Sequence, residues 1–163
     1  LRALPLSAAD VAPYLELDPL RYTWRLLRLT EHYEAWVIAW LSGQRTTIHN
    51  HGKSAVGFKV LSGVATELTF ERSAGGFLYP VSSARYEAGS VASGHDDLVH
   101  QVCNLEAPGT PLIGIHLYSP PLQDATTFTL SDTPFGRYDE LCDTIARHRQ
   151  PPRSEEALLP PCF

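Results

Sequence analysis

The sequence predicts an all-β fold, a sandwich or a barrel, and three observations carry that prediction. From Tyr22 onward the chain breaks into about nine short runs rich in β-branched and aromatic residues. Gly, Ser and Pro interrupt those runs at regular intervals. No helical pattern lies between them, whereas a parallel sheet would need helical crossovers.

The opening segment, 1–20, reads as helical. Ser7 can cap, Asp10 follows three residues on, and Val11, Tyr14 and Leu15 recur at helical spacing. The expected strands are 24–29, 34–41, 56–61, 65–71, a short one near 77–79, then 90–92, 99–104, 112–118 and 126–130. Ser62-Gly63 and Gly75-Gly76 have the composition of hairpin turns. After Pro134 the pattern turns helical again, with Tyr138, Leu141, Ile145 and Ala146 on one face, and a Pro-rich tail runs from Pro151. The 163 residues suit a single domain, with its core at about 22–130 between these terminal pieces.

Composition narrows the partners. The net charge is −5 and the 13 Lys and Arg residues are dispersed, so no basic run can track phosphates and a nucleic-acid partner is disfavoured. The longest apolar stretch, 35–41, is far short of the roughly 20 residues that cross a bilayer. A cytoplasmic protein with no membrane partner is expected, and monomer and homodimer both fit. Cys103, Cys142 and Cys162 form no close pair, which suits a reducing compartment, and Cys103 reads as a buried, inert thiol on a strand.

The chemistry concentrates in histidines. In Thr47-Ile48-His49-Asn50-His51 two histidines one residue apart would point to the same face of a strand, so both imidazoles can reach one metal ion. His100, in Val99-His100-Gln101-Val102, is the third candidate ligand, and a paired later strand would bring it in. His95 competes for that place from the loop Ser93-Gly94-His95, while His32 and His148 read as solvent-facing. Three neutral imidazoles leave coordination positions open, as a catalytic site requires. Without a carboxylate ligand the ion keeps its double charge and takes a thiolate readily.

Gly43, five residues, His49-x-His51 and then Gly63, with His100 and Asn104 further on, resembles the two motifs of cupins, which fold as a double-stranded β-helix or jelly-roll barrel. The glutamate usual in the first motif is absent, and Val56 stands near its place. Together with Trp40 and the run His116-Leu117-Tyr118-Ser119-Pro120-Pro121, this is similar to the cysteine dioxygenase family of thiol dioxygenases over residues 22–121. The resemblance implies a cupin barrel with an N-terminal helical segment and a short C-terminal helix. It also implies Fe(II) on His49, His51 and His100, and addition of dioxygen to a small thiol, cysteine or a mercapto-carboxylic acid, to give a sulfinate.

The same resemblance implies that His116 and Tyr118 belong to a Ser-His-Tyr relay, with the Tyr118 hydroxyl beside the metal and His116 tuning its proton at neutral pH. Gly114 stands where that relay has serine, and Val56 stands where some members have a cysteine that crosslinks to the tyrosine. With Tyr22-Thr23 aligned to the family, its carboxylate-binding arginine falls on Trp24, and Arg25 follows. Neighbouring strand residues face opposite ways, so Arg25 enters the pocket only if the strand bulges or slips. Tyr22, Trp24 and Arg25 are therefore the candidate substrate contacts, and Arg137, Arg147 and Arg153 are further possible clamps. Two other readings stand beside this one: a metal-binding cupin that senses a small acid without turnover, and an oxygenase using another divalent metal.

Overall fold

The computed structural model describes residues 1–95 and 97–130. The helix expected after Pro134 and the Pro-rich tail lie outside the described residues, as do Cys142, Cys162, His148, Arg137, Arg147 and Arg153.

A single helical turn, α1 (Ala8–Val11), opens the chain, and a 3-10 turn over Ala12–Tyr14 follows it. The Asp10 carboxylate accepts hydrogen bonds from the Ser7 amide at 2.8 Å and the Ser7 hydroxyl at 2.6 Å, the reciprocal cap that the spacing predicts. The helix expected over 1–20 is much shorter than that, because Pro13 withholds the amide that an α-helix needs there.

Ten strands follow: β1 (Thr23–Leu29), β2 (Glu34–Trp40), β3 (Ile48–His49), β4 (Ala55–Ser62), β5 (Val64–Arg72), β6 (Leu78–Glu87), β7 (Val91–Gly94), β8 (Val99–Cys103), β9 (Leu112–Ser119) and β10 (Thr127–Phe128). They form two antiparallel five-stranded sheets, ordered β1-β2-β9-β4-β7 and β10-β3-β8-β5-β6. One apolar cluster fills the space between the sheets and contains Trp36, Ile38, Trp40, Val56, Phe58, Val60 and Tyr118. A second cluster lies on the outer face of the first sheet, where Val11 packs with Val37, Ala39, Ile113 and Ile115. Strand β2 is therefore buried on both faces, which explains why its sequence is apolar almost without alternation.

Three expectations need correction. Ser62-Gly63 is not a hairpin: β4 belongs to the first sheet and β5 to the second, so this turn carries the chain between sheets. Gly63 has φ +75° there, and a Cβ would stand 2.6 Å from the Pro111 carbonyl oxygen, so only glycine fits. The short strand expected near 77–79 extends through Glu87 and pairs with β5 in a hairpin around Gly75-Gly76. Its Pro80 and polar residues obscure the strand pattern, but β6 is an edge strand and tolerates both, with Pro80 placed at a register shift. The strand expected over 126–130 is only two residues long.

Candidate metal centre

Register brings the first two histidines together. β3 pairs with β8 so that His49 lies directly opposite His100, and directly opposed residues project from the same side of a sheet. His51 arrives differently. The strand ends at His49, and His51 sits at a turn in which Gly52 has φ +60°. A Cβ on Gly52 would lie 2.2 Å from the Gln123 carbonyl oxygen, so the turn closes only over a glycine. Asn50 ties this segment to the chain beyond Pro121, donating its amide to the Thr126 carbonyl at 3.0 Å and accepting the Thr126 amide at 2.8 Å.

All three imidazoles are buried, with ring centroids 4.7–5.0 Å apart, and one nitrogen from each lies within 4.8 Å of the others. The protonation pattern prepares them for a cation. Nδ1 of His49 faces the Thr47 carbonyl at 2.9 Å and Nδ1 of His100 faces the Glu67 carboxylate at 2.6 Å, so both rings donate outward through Nδ1 and turn Nε2 inward. Nε2 of His100 and Nε2 of His51 are 3.1 Å apart. Nitrogens about 2.1 Å from a shared ion, at angles of about 90–110°, would be separated by about 3.0–3.4 Å. The donor set fits a divalent ion.

Burial, together with repulsion from His100, lowers the pKa of His49 to about 3 despite its bond to Thr47, and the same two causes lower that of His51. Both ligands are thus neutral at physiological pH, as coordination demands. Burial and His100 also lower His116 to about 3. The near-neutral titration expected of His116 therefore moves into the acid range and the ring is neutral at physiological pH, because its surroundings are Phe58, stacked at 5.1 Å, and Trp40 at 5.7 Å.

These shifts set an acid stability profile. In an unfolded chain the same imidazoles titrate near 6.5, so between that value and about 3 the unfolded state binds more protons. Their contribution to stability is complete above pH 6.5 and is lost as the pH falls toward 3. Denaturant titrations of metal-free protein are expected to lose up to about 1.4 kcal/mol per pH unit for each such histidine. His116→Phe should shallow that slope by one proton; an unchanged slope would contradict the burial of a neutral ring.

Tyr118 enters from the first sheet. Its ring lies 5.4 Å from His51 and 6.4 Å from His116, two residues earlier on the same face of β9. Burial, reinforced by the negative field of Glu34, raises its pKa above the ordinary tyrosine value, so the hydroxyl keeps its proton. Val56 lies directly opposite Tyr118 on β4 and offers no sulfur for a crosslink. Nε2 of His116 is buried with no hydrogen-bond partner among the described residues, and a Cβ on Gly114 would stand 3.4 Å from it. The missing serine is thus legible in space: the glycine leaves that nitrogen without the hydroxyl a side chain there would supply.

The remaining sequence candidates separate. Tyr22 is buried in the inter-sheet cluster, 5.9 Å from Trp40 and 5.3 Å from Trp24, whose ring packs against the same cluster. Arg25 faces away from that cluster and pairs with Glu16 at the surface. The bulge in β1 falls between Leu26 and Arg28, too late to turn Arg25 inward. His95 is exposed in a loop and His32 stands beside Glu31 at the surface, so neither joins the cluster. Asn104 is fully buried and structural, its amide nitrogen donating to the carbonyls of Trp40 and Thr110. Burial pushes the Cys103 thiol up, as befits an inert core residue.

Sequence reading missed Glu67. It lies on β5 two residues from Thr69, the register partner of His100, and holds both His100 and the Tyr86 hydroxyl, the latter at 3.1 Å. Desolvation raises its pKa, but the bonds from His100 and Tyr86 and the attraction of His100 outweigh that, and the carboxylate stays ionised. An acidic residue inside the expected strand 65–71 looks by itself like any other strand carboxylate. Glu67→Gln is expected to weaken metal binding about 10–100-fold with the fold intact, read by chelator competition. Unchanged affinity would remove Glu67 from the site.

Two antiparallel sheets packed around a buried three-histidine cluster define a cupin, a double-stranded β-helix protein with a metal-ligand set. The solved structures agree on the fold. The protein TT1209 from Thermus thermophilus superposes with TM-score 0.58 at 19% identity, over 71% of this chain and 99% of that one. An uncharacterised double-stranded β-helix protein from Klebsiella pneumoniae gives 0.57 at 18% identity, over 76% and 96%. The family model described as cysteine dioxygenase type I matches residues 2–131, so the chain belongs to that family. Cysteine dioxygenase type 1 of Danio rerio is 28% identical over 124 residues, which are 73% of this chain and 61% of that protein's length. Among the described residues no helix is long and apolar enough to cross a membrane.

Proposed function

We propose that the protein is an iron(II) thiol dioxygenase that adds both atoms of dioxygen to the sulfur of a small thiol and releases the sulfinic acid. The balance, RSH + O2 → RSO2H, needs no external reductant. The observation that carries the reading is the three-imidazole cluster, free of carboxylate ligands, with a protonated tyrosine ring 5.4 Å from one of its members.

His49, His51 and His100 would hold the iron, which supplies the one-electron chemistry that a spin-paired thiol cannot offer dioxygen unaided. Neutral histidines leave the ion's charge undiminished, which favours the thiolate over the thiol. Glu67 keeps His100 oriented, with its proton on Nδ1. Tyr118 holds its proton where the second sheet's histidines face the first sheet, so its hydroxyl donates to oxygen or sulfur as charge develops there. His116, neutral and wedged between Phe58 and Trp40, keeps the face of β9 in place beside it rather than exchanging protons. The buried aromatic walls exclude bulk water from the reacting atoms.

The test is oxygen uptake by iron(II)-reconstituted protein with a panel of cysteine, 3-mercaptopropionate, mercaptosuccinate and cysteamine, with sulfinate followed by mass spectrometry. Sulfinate formed in a one-to-one ratio to oxygen is expected. No uptake with any thiol would leave a metal-binding cupin without this reaction, and greater activity with another reconstituted metal would reassign the ion.

A further inference from the structure

The charges inside the barrel are unevenly distributed. Among the described residues the buried charged side chains are Glu34, Lys59 and Glu67. Lys59 lies on the outward face of β4 and its ammonium is bound to the Leu4 carbonyl. Glu67 is committed to His100 and Tyr86. Glu34 remains: it is 2% exposed, shares the inward face of β2 with Trp36, Ile38 and Trp40, and lies directly opposite Tyr118 in register. One carboxylate oxygen accepts the Leu122 amide at 3.1 Å, and the carboxylate's field reaches the Tyr118 hydroxyl. No Lys or Arg among the described residues is buried with it, because Arg25 points outward to Glu16.

Building on the dioxygenase reading, we propose that the site selects an amine-bearing thiol with no carboxylate, and that the Glu34 carboxylate is the counter-charge for the substrate's ammonium group. A buried carboxylate is costly unless a cation accompanies it, and a substrate ammonium supplies that cation. Burial raises the Glu34 pKa in spite of the bond from the Leu122 amide, the direction expected of a carboxylate whose cation has yet to arrive. A mercapto-carboxylate would instead add a second negative charge beside Glu34. The indole N–H groups of Trp24 and Trp40, buried without partners among the described residues, can donate to an acceptor but carry no charge to offset that repulsion. Indole and phenol faces at Trp24, Trp40 and Tyr22 also favour a cation over an anion.

Three thiols of matched length separate the contributions: cysteamine is cationic, 2-mercaptoethanol neutral and 3-mercaptopropionate anionic. Anaerobic calorimetry with the iron(II)-loaded protein measures binding without turnover, and each affinity is expressed per thiolate, because the ammonium group makes the cysteamine thiol the most acidic of the three and the carboxylate makes that of mercaptopropionate the least. The expected order is cysteamine, then mercaptoethanol, then mercaptopropionate, with steps of about tenfold. Glu34→Gln should bring cysteamine to within a few-fold of mercaptoethanol while leaving mercaptoethanol unchanged. Wild-type binding of mercaptopropionate as tight as that of cysteamine would overturn the proposal, as would indifference of cysteamine to Glu34→Gln. Should that variant not fold, the wild-type order and Glu34→Asp, which keeps the charge and is expected to keep the order, decide alone. Failure of the two readings is distinguishable: the expected binding order without oxygen uptake sinks the dioxygenase, and sulfinate formation with the reverse order sinks only the amine subsite.

Discussion

His51→Ala protein is expected to purify without stoichiometric metal, to consume no oxygen with any thiol, and to lose the rise in melting temperature that metal gives the wild type. His51 is fully buried and stands 5.0 Å and 4.8 Å, ring to ring, from His49 and His100. Its removal leaves two imidazoles and a gap on the side facing Tyr118. Two neutral nitrogens with no anionic ligand hold a divalent ion poorly, so a loss of at least about 10³-fold in affinity is expected. Metal at a hundred times its dissociation constant would stabilise the wild type by about 2.7 kcal/mol, and the variant by nothing measurable. Metal analysis and calorimetric scans with and without iron(II) read both effects. A His51→Ala protein that still binds iron tightly would show that the cluster is not the metal site.

Tyr118→Phe is expected to retain its metal and its melting temperature while turnover falls about 10²–10³-fold. The ring survives the substitution, so its packing against His51 and between Val56 and Glu34 is preserved. Only the hydroxyl is lost, a donor whose raised pKa keeps it protonated across the working range. A non-catalytic metal binder would be indifferent to that loss, so this variant separates catalysis from mere binding. Steady-state oxygen uptake, alongside metal content, measures it. Turnover within a few-fold of the wild type would remove Tyr118 from the reaction.

Much of the site can be read along the chain because its donors are carried on strands. His116 and Tyr118 are two residues apart on β9 and share a face, and His100 occupies an inward position of β8, as strand alternation requires. His49-x-His51 is legible for a different reason than alternation suggests, since a glycine turn rather than a continued strand aims His51. Glu67 and Glu34 were not legible. Each looks like an ordinary strand carboxylate until register places one beside His100 and the other opposite Tyr118.

By itself, then, the amino-acid order determined the all-β class, the identity of three imidazole donors and the lack of a carboxylate among them, because residue type and period-two spacing are local properties. Tertiary structure alone decided that Ser62-Gly63 crosses between sheets, that Arg25 turns outward, that His116 stays neutral, and that a carboxylate faces the barrel interior. Those outcomes depend on which strands become neighbours and on how much water remains between them, and neither quantity is encoded at any single position.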